Sequence, residues 1–146
     1  MGNKFKLDQV LKKYEQLKRS LPKEIAVEAK NFMQDNFRKQ GFDDFSVNKW
    51  QEVQRRIPGT KAYKYPKQRD LGRRTRRINN KTGLLQGSIR VTSAVFNRIA
   101  VGTNVPYAEY VNRKRKYLGR SRRFERDTHK NITVKVGNCF GQAAKR

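Results

Sequence analysis

From residue 55 to residue 146 the chain carries 25 Lys and Arg against four acids (Asp70, Glu109, Glu125, Asp127), a net charge of +21. Residues 1–54 carry 11 Lys and Arg against eight acids, a net charge of only +3. Like charges at that density repel, so the fold must hold its cations at the surface and has little tolerance for loose segments. Solubility is usually achieved with both signs interspersed. An asymmetry this large points instead to nucleic acid or another dense anion within a Debye length, about 10 Å.

Composition then narrows the class. The 146 residues fit one domain at roughly 100–200 residues per domain. With 35% apolar and 10% aromatic residues the chain can bury a modest core. It contains no run of about 18 apolar residues, so no membrane span and no membrane partner are expected. The basic start, Met1 to Lys6, is not followed by an apolar stretch, and no secretory signal is expected. A single cysteine, Cys139, excludes a disulfide framework and a thiolate zinc site within one chain. A single histidine, His129, leaves no pair for a metal or nuclease site, and its neighbours predict an exposed or capping residue. The four acids of the basic part are too scattered for a two-metal carboxylate centre. Lys81-Thr82-Gly83 lacks the preceding glycines of a phosphate loop. No enzyme activity, cofactor or metal is expected.

The apolar pattern predicts an α+β fold: N-terminal helices, a long basic loop and a small antiparallel β-sheet. Leu7, Val10, Leu11, Tyr14, Leu17 and Leu21 recur at three- and four-residue steps, one stripe of a helix. After Pro22 the stripe continues through Ile25, Ala26, Ala29, Phe32, Met33 and Phe37 to a stop at Gly41. Two helices broken at Leu21-Pro22 and one long helix bent there both fit. Residues 42–53, anchored by Trp50, read as a short helical turn or an irregular transition. Residues 54–81 hold 11 Lys and Arg, one acid, two prolines and two glycines without a period, and read as a long basic loop. Residues 88–94 and 95–101 predict an antiparallel hairpin turning around Ser93–Asn97, with Ile89, Val91, Ile99 and Val101 in the core. Residues 112–123, with seven Lys and Arg, read as a second basic loop. Beyond them, 122–130 suits a helix, whereas Ile132 to Val136 alternates like a strand ending at Gly137. On this reading residues 82–136 form the sheet part of a single domain and 137–146 a tail.

The basic loops are the candidate binding surface. Their cations are Arg55, Arg56, Lys61, Lys64, Lys67, Arg69, Arg73, Arg74, Arg76 and Arg77, then Arg113, Lys114, Arg115, Lys116, Arg120, Arg122 and Arg123. Cations in loops neutralise phosphates without reading bases, which needs a helix or strand presenting side chains to a groove. Tyr63 and Tyr65 interleave the first cluster, where base stacking and packing or subunit contact both remain open. Tyr107 and Tyr110 read as packing residues.

The order of three blocks is also informative. Thr82-Gly83-Leu84-Leu85-Gln86-Gly87-Ser88-Ile89-Arg90 resembles the "TG-x-L-x-x-SI" segment of the phage virion morphogenesis (tail-completion) proteins. Ile99 to Ala108 resembles their "v-x-iGT-n-x-pYA" element, and Arg115-Lys116-Tyr117-Leu118-Gly119 their closing "R-P-F-L-G", with Lys116 in place of the proline. Upstream, Trp50 and the arginine-rich stretch occupy the family's tryptophan and basic segment, and the resemblance covers roughly residues 20–125. It departs after Ala108, where Val111-Asn112-Arg113-Lys114 replaces a His or Gln and a glycine-rich turn.

What the resemblance implies is a structural protein of a tailed bacteriophage, made in the host cytoplasm and residing in the virion at the head–tail junction. It would form a six- or twelve-fold homo-oligomeric ring, as a neck, tail-completion or tail-terminator layer. Other neck, portal or tail proteins would adjoin it, and its basic loops would face double-stranded DNA without sequence specificity. The alternative is a stand-alone nucleic-acid-binding protein of ribosomal type. Reversing the charge of Arg73, Arg74, Arg76 and Arg77 together is expected to impair DNA retention in particles while leaving the circular dichroism spectrum unchanged; failure to fold or assemble would make that stretch structural.

Overall fold

In a computed structural model, which describes residues 7–67, 77–78 and 82–141, the apolar stripe of the N-terminal third becomes one helix, α1 (Leu7–Lys39). Pro22 lies inside it. Proline has no N–H for the carbonyl four residues back, a defect that costs about 3 kcal/mol in a helix interior. Long helix-favouring flanks and burial of the Pro22 ring offset it, so the single-helix reading holds. Asp8 in the first turn and Arg38 and Lys39 in the last complement the helix dipole.

The helix stops at Gln40, which takes the left-handed conformation (φ 52°). A residue with a Cβ is uncommon there, and two bonds hold it in place. Its carbonyl accepts from the Trp50 N–H at 2.8 Å, and its side-chain oxygen accepts from the Ile78 N–H at 3.3 Å. Gly41 serves a different need. A Cβ at that position would meet the Asn48 carbonyl oxygen at 2.6 Å, so glycine lets β1 (Gly41–Asp43) approach β2 (Val47–Lys49). These short strands pair antiparallel, Gly41 opposite Lys49 and Asp43 opposite Val47.

The chain divides into two compact units. One comprises residues 32–89 and 103–119. Its core is aromatic: the Phe37 ring meets Trp50 edge-on at 5.5 Å and Tyr117 at 4.8 Å, and Phe32 meets Phe42 edge-on at 6.0 Å. Ile78, Leu85, Ile89 and Ala108 are buried with them. The stretch 116–118 is held at four of its backbone polar groups. Trp50 Nε1–H donates to the Lys116 carbonyl (2.7 Å) and Asn36 Nδ2–H to the Tyr117 carbonyl (3.1 Å). The Asn112 side-chain oxygen accepts from the N–H groups of Tyr117 and Leu118, both at 2.9 Å. Asn36, fully buried, also accepts from the Asp43 N–H (3.1 Å), which joins β1 to the same network. Gln34 and Gln86 exchange side chain-to-carbonyl bonds at 3.3 Å, fastening α3 (Leu84–Gly87) to α1.

The other unit contains the described residues up to Asn31, Arg90–Gly102 and the described residues from Arg120 onward. Here α5 (Arg122–Gly141) runs antiparallel to α1: Tyr14 meets Phe140, Glu24 pairs with Lys135, and Glu28 accepts from Asn131. Val10, Ala26, Ala29 and Cys139 are buried between the two helices and their neighbours. β3 (Arg90–Val95) and β4 (Arg98–Gly102) form the antiparallel hairpin, irregular between Val91 and Ser93 and turning at Phe96-Asn97. Lys18 of α1 lies 5.1 Å from the Phe96 ring centre.

The α+β class therefore holds, with helix exceeding sheet, but several local expectations do not. Residues 42–53 hold the β1–β2 hairpin rather than a helical turn. The stretch 54–81 is not all loop: Gln54–Arg56 is a 3₁₀ turn and α2 spans Lys61–Lys64. Arg113 and Lys114 end α4 (Ala108–Lys114), while Arg122 and Arg123 open α5, so only 115–121 of the second basic stretch is irregular. Ile132 to Val136 is helical, because Phe124, Thr128, Ile132, Val136 and Cys139 form a better stripe at helical spacing than the alternation does as a strand. Within 82–136 the described sheet is β3–β4 alone. Ile89 is buried, but Val91 and Val101 are only half-buried and Ile99 is exposed. Tyr107 and Tyr110 are exposed rather than packed.

Tyr117 offers a direct check on the aromatic core. Its side chain is fully buried, with the hydroxyl 3.4 Å from the Ala108 carbonyl, and burial pushes the phenol above its ordinary range. The neutral phenol is thus favoured in the folded state. That stability is complete below the unfolded value near 10 and is lost as pH rises through the folded one. Tyr117→Ala is expected to cost roughly 3–5 kcal/mol in urea unfolding. Tyr117→Phe should cost only about 1 kcal/mol and should flatten the alkaline loss of stability.

Candidate nucleic-acid interface

The cations of residues 54–67 stand on a small knot. Thr60 caps α2: its hydroxyl accepts from the Tyr63 N–H (3.2 Å) and lies 2.6 Å from the Gln54 carbonyl oxygen. Gly59, at φ 88°, makes the turn into that cap, a conformation that favours glycine. The knot sets Lys61 and Lys64 on one exposed turn, with Lys67 exposed just beyond. Arg55 and Arg56 are half-buried. Arg56 pairs with Glu52 at 3.1 Å, and the Glu52 carboxyl is held below its ordinary range by the Val53 N–H and then by the Arg56 guanidinium. Tyr65 is 74% exposed, an aromatic face in the midst of these lysines. Arg77 is exposed; Arg69, Arg73, Arg74 and Arg76 lie outside the described residues.

The second cluster separates into two kinds of cation. Arg113 pairs with Glu109 one helical turn earlier (2.7 Å), and Lys114 lies 4.8 Å from the Tyr110 ring centre; both project from α4 into solvent. Arg115 and Lys116 turn toward their own unit instead. Arg115 Nε–H donates to the Gln51 carbonyl at 3.4 Å, and Lys116 Nζ lies 4.1 Å from the centre of the Phe42 ring. These two are tied to the fold that surrounds Tyr117.

Arg120, Arg122 and Arg123 belong with α5. Its N-terminus is capped by Ser121, which is buried and accepts from the Phe124 N–H (3.2 Å). Arg120 pairs with Glu125 at 2.6 Å, and both Arg123 (3.9 Å) and Arg126 (3.3 Å) lie beside Asp127. The helix also brings out two cations that a loop-based reading passes over, Arg126 and Lys130, both exposed. The signal for them was the four-residue spacing Arg122–Arg126–Lys130 set against the stripe from Phe124 to Cys139.

What this surface can do follows from its groups. Guanidinium and ammonium groups at exposed positions bind phosphate oxygens through charge-assisted hydrogen bonds. The acids beside them form surface ion pairs, which contribute about 0–1 kcal/mol and exchange readily for another anion. Among the described residues, no three His, Cys, Asp or Glu side chains are placed to hold a metal ion, and no helix is long and apolar enough to cross a membrane.

Comparison with known proteins finds no matching family model, no matching curated protein and no matching solved structure.

If Glu109 and Asp127 only compete with phosphate for their arginines, removing them should strengthen polyanion binding without harming the fold. Glu109→Gln with Asp127→Asn is expected to leave the melting temperature within about 2 °C and to tighten binding to a random-sequence duplex several-fold at low salt. Calorimetry and fluorescence anisotropy read the two effects. Unchanged or weaker binding would contradict the exchange.

Proposed function

We propose that this chain is a structural protein of a tailed bacteriophage that assembles as a homo-oligomeric ring at the head–tail junction. Its basic surfaces face the passing double-stranded DNA, and neck, portal or tail proteins adjoin the ring. The observation that carries the reading concerns the three blocks resembling the virion morphogenesis family. They are linked in series: Ser88 of the first meets Thr103 of the second (hydroxyl oxygens 2.5 Å apart), and Ala108 of the second accepts from the Tyr117 hydroxyl of the third, all four residues lying in the unit of residues 32–89 and 103–119. Leu85, Ile89, Ala108 and Tyr117 are all buried. These contacts favour reading the three blocks together rather than as unrelated stretches.

The surface supports assembly over a solitary binding module. Large apolar side chains stand in solvent in both units: Phe45 at 65%, Leu84 at 58% and Tyr110 at 61% in one; Leu7 at 55%, Phe96 at 57% and Val134 at 59% in the other. Exposed apolar groups of this size are available to partner surfaces where they adjoin one another. A repeated head-to-tail contact between copies closes by rotation into a ring. Channel-facing cations would hold DNA by counterion release, which is indifferent to sequence.

The test is assembly of the purified full chain. Light scattering coupled to size exclusion should give a closed oligomer, seen as rings by negative-stain electron microscopy. Its affinity for duplexes of different sequence should agree within about threefold. A monomer at micromolar concentration that binds one defined RNA or DNA site tightly at physiological salt would replace this reading with the ribosomal-type one.

A further inference from the structure

We propose that the outward ridge of α5, built from Arg122, Arg126 and Lys130, is the surface that contacts the phosphate backbone of duplex DNA. This rests on the DNA-facing part of the function proposed above and names the element responsible. The orientation of α5 carries the argument. Its inner face is fixed against α1 by the Lys135–Glu24 ion pair, the Asn131–Glu28 hydrogen bond (2.9 Å) and the burial of Cys139. At 3.6 residues per turn, positions 122, 126 and 130 fall on the opposite side, and all three are exposed. They form a row with about 6 Å between neighbours and roughly 12 Å in total.

The acids of the same helix do not interrupt the row. Glu125 and Asp127 lie to its two sides, engaged with Arg120 and with Arg123 and Arg126. Helix polarity adds a second, independent indication. Arg122 and Arg123 occupy the first turn, where the dipole is positive and cations are disfavoured. A phosphate at that end relieves this repulsion, as it does at helix N-termini generally. The ridge is all cation: Asn131, the nearest amide, is bonded to Glu28 and does not join it. A membrane surface would need a broad apolar face turned outward, whereas the outward row of α5 is Arg122, Arg126 and Lys130.

The experiment compares three full-length proteins: wild type, Arg126→Gln/Lys130→Gln, and Lys12→Gln/Arg19→Gln. The last removes the same charge from exposed positions of α1. Binding of a random-sequence 30-base-pair duplex is followed by fluorescence anisotropy between about 20 and 150 mM salt. The ridge variant should lose about two units of the slope of log K against log salt and at least tenfold in affinity at the upper salt. The α1 variant should keep the wild-type slope. Circular dichroism melts should coincide for all three. If wild type binds and the ridge variant matches the α1 variant, the ridge is not the contact surface, although the chain still binds DNA. If wild type itself shows no salt-dependent binding, the DNA-facing function fails with it.

Discussion

Everything around the aromatic core depends on how three consecutive residues, 116–118, are held. Two of their carbonyls and two of their N–H groups are taken by side chains from α1, from Trp50 and from Asn112. Buried backbone groups without partners cost more than a made bond returns, so this stretch is stable only when all four contacts form together. Asn36 is the node. It has no exposure, bonds to both the Tyr117 carbonyl and the Asp43 N–H, and so couples the end of the second basic stretch to the first hairpin. Neither segment is regular enough to be stable alone; each is defined by the other.

Both units show how a chain so rich in cations stays folded. The described acids of its basic part, Glu109, Glu125 and Asp127, each sit beside an arginine. Aromatic faces complement them. Lys18 lies over Phe96, Lys114 over Tyr110 and Lys116 over Phe42. A ring face attracts a cation without adding a negative charge, so the surface keeps its positive potential while individual ammonium groups are stabilised. That is a different solution from simply adding carboxylates, which would cancel the positive potential.

Helix α1 was legible because its stripe persists over nine turns, long enough to outweigh one proline. The β3–β4 hairpin was legible from β-branched residues on either side of a short turn. Helix α5 was only half legible. Ile132, Thr133 and Val134 favour a strand locally, and the decision against it comes from α1, more than a hundred residues away. Arg126 and Lys130 escape the candidate interface for another reason: it is confined to the loops, although 122–130 already reads as a helix. The aromatic node was legible only as Trp50. Nothing near Tyr117 in the sequence announces burial, because Arg115, Lys116 and Arg120 surround it with charge while its ring goes into the core.

The antiparallel pairing of α1 with α5 has a consequence for biogenesis. The ribosome releases α1 first, yet the partners that cover it lie 81 residues further on at Tyr117 and 111 further on at Lys135. Until those segments emerge, only the end of the stripe has partners, where Phe32 meets Phe42 and Phe37 meets Trp50. Contacts of such separation also make folding slow once synthesis is finished.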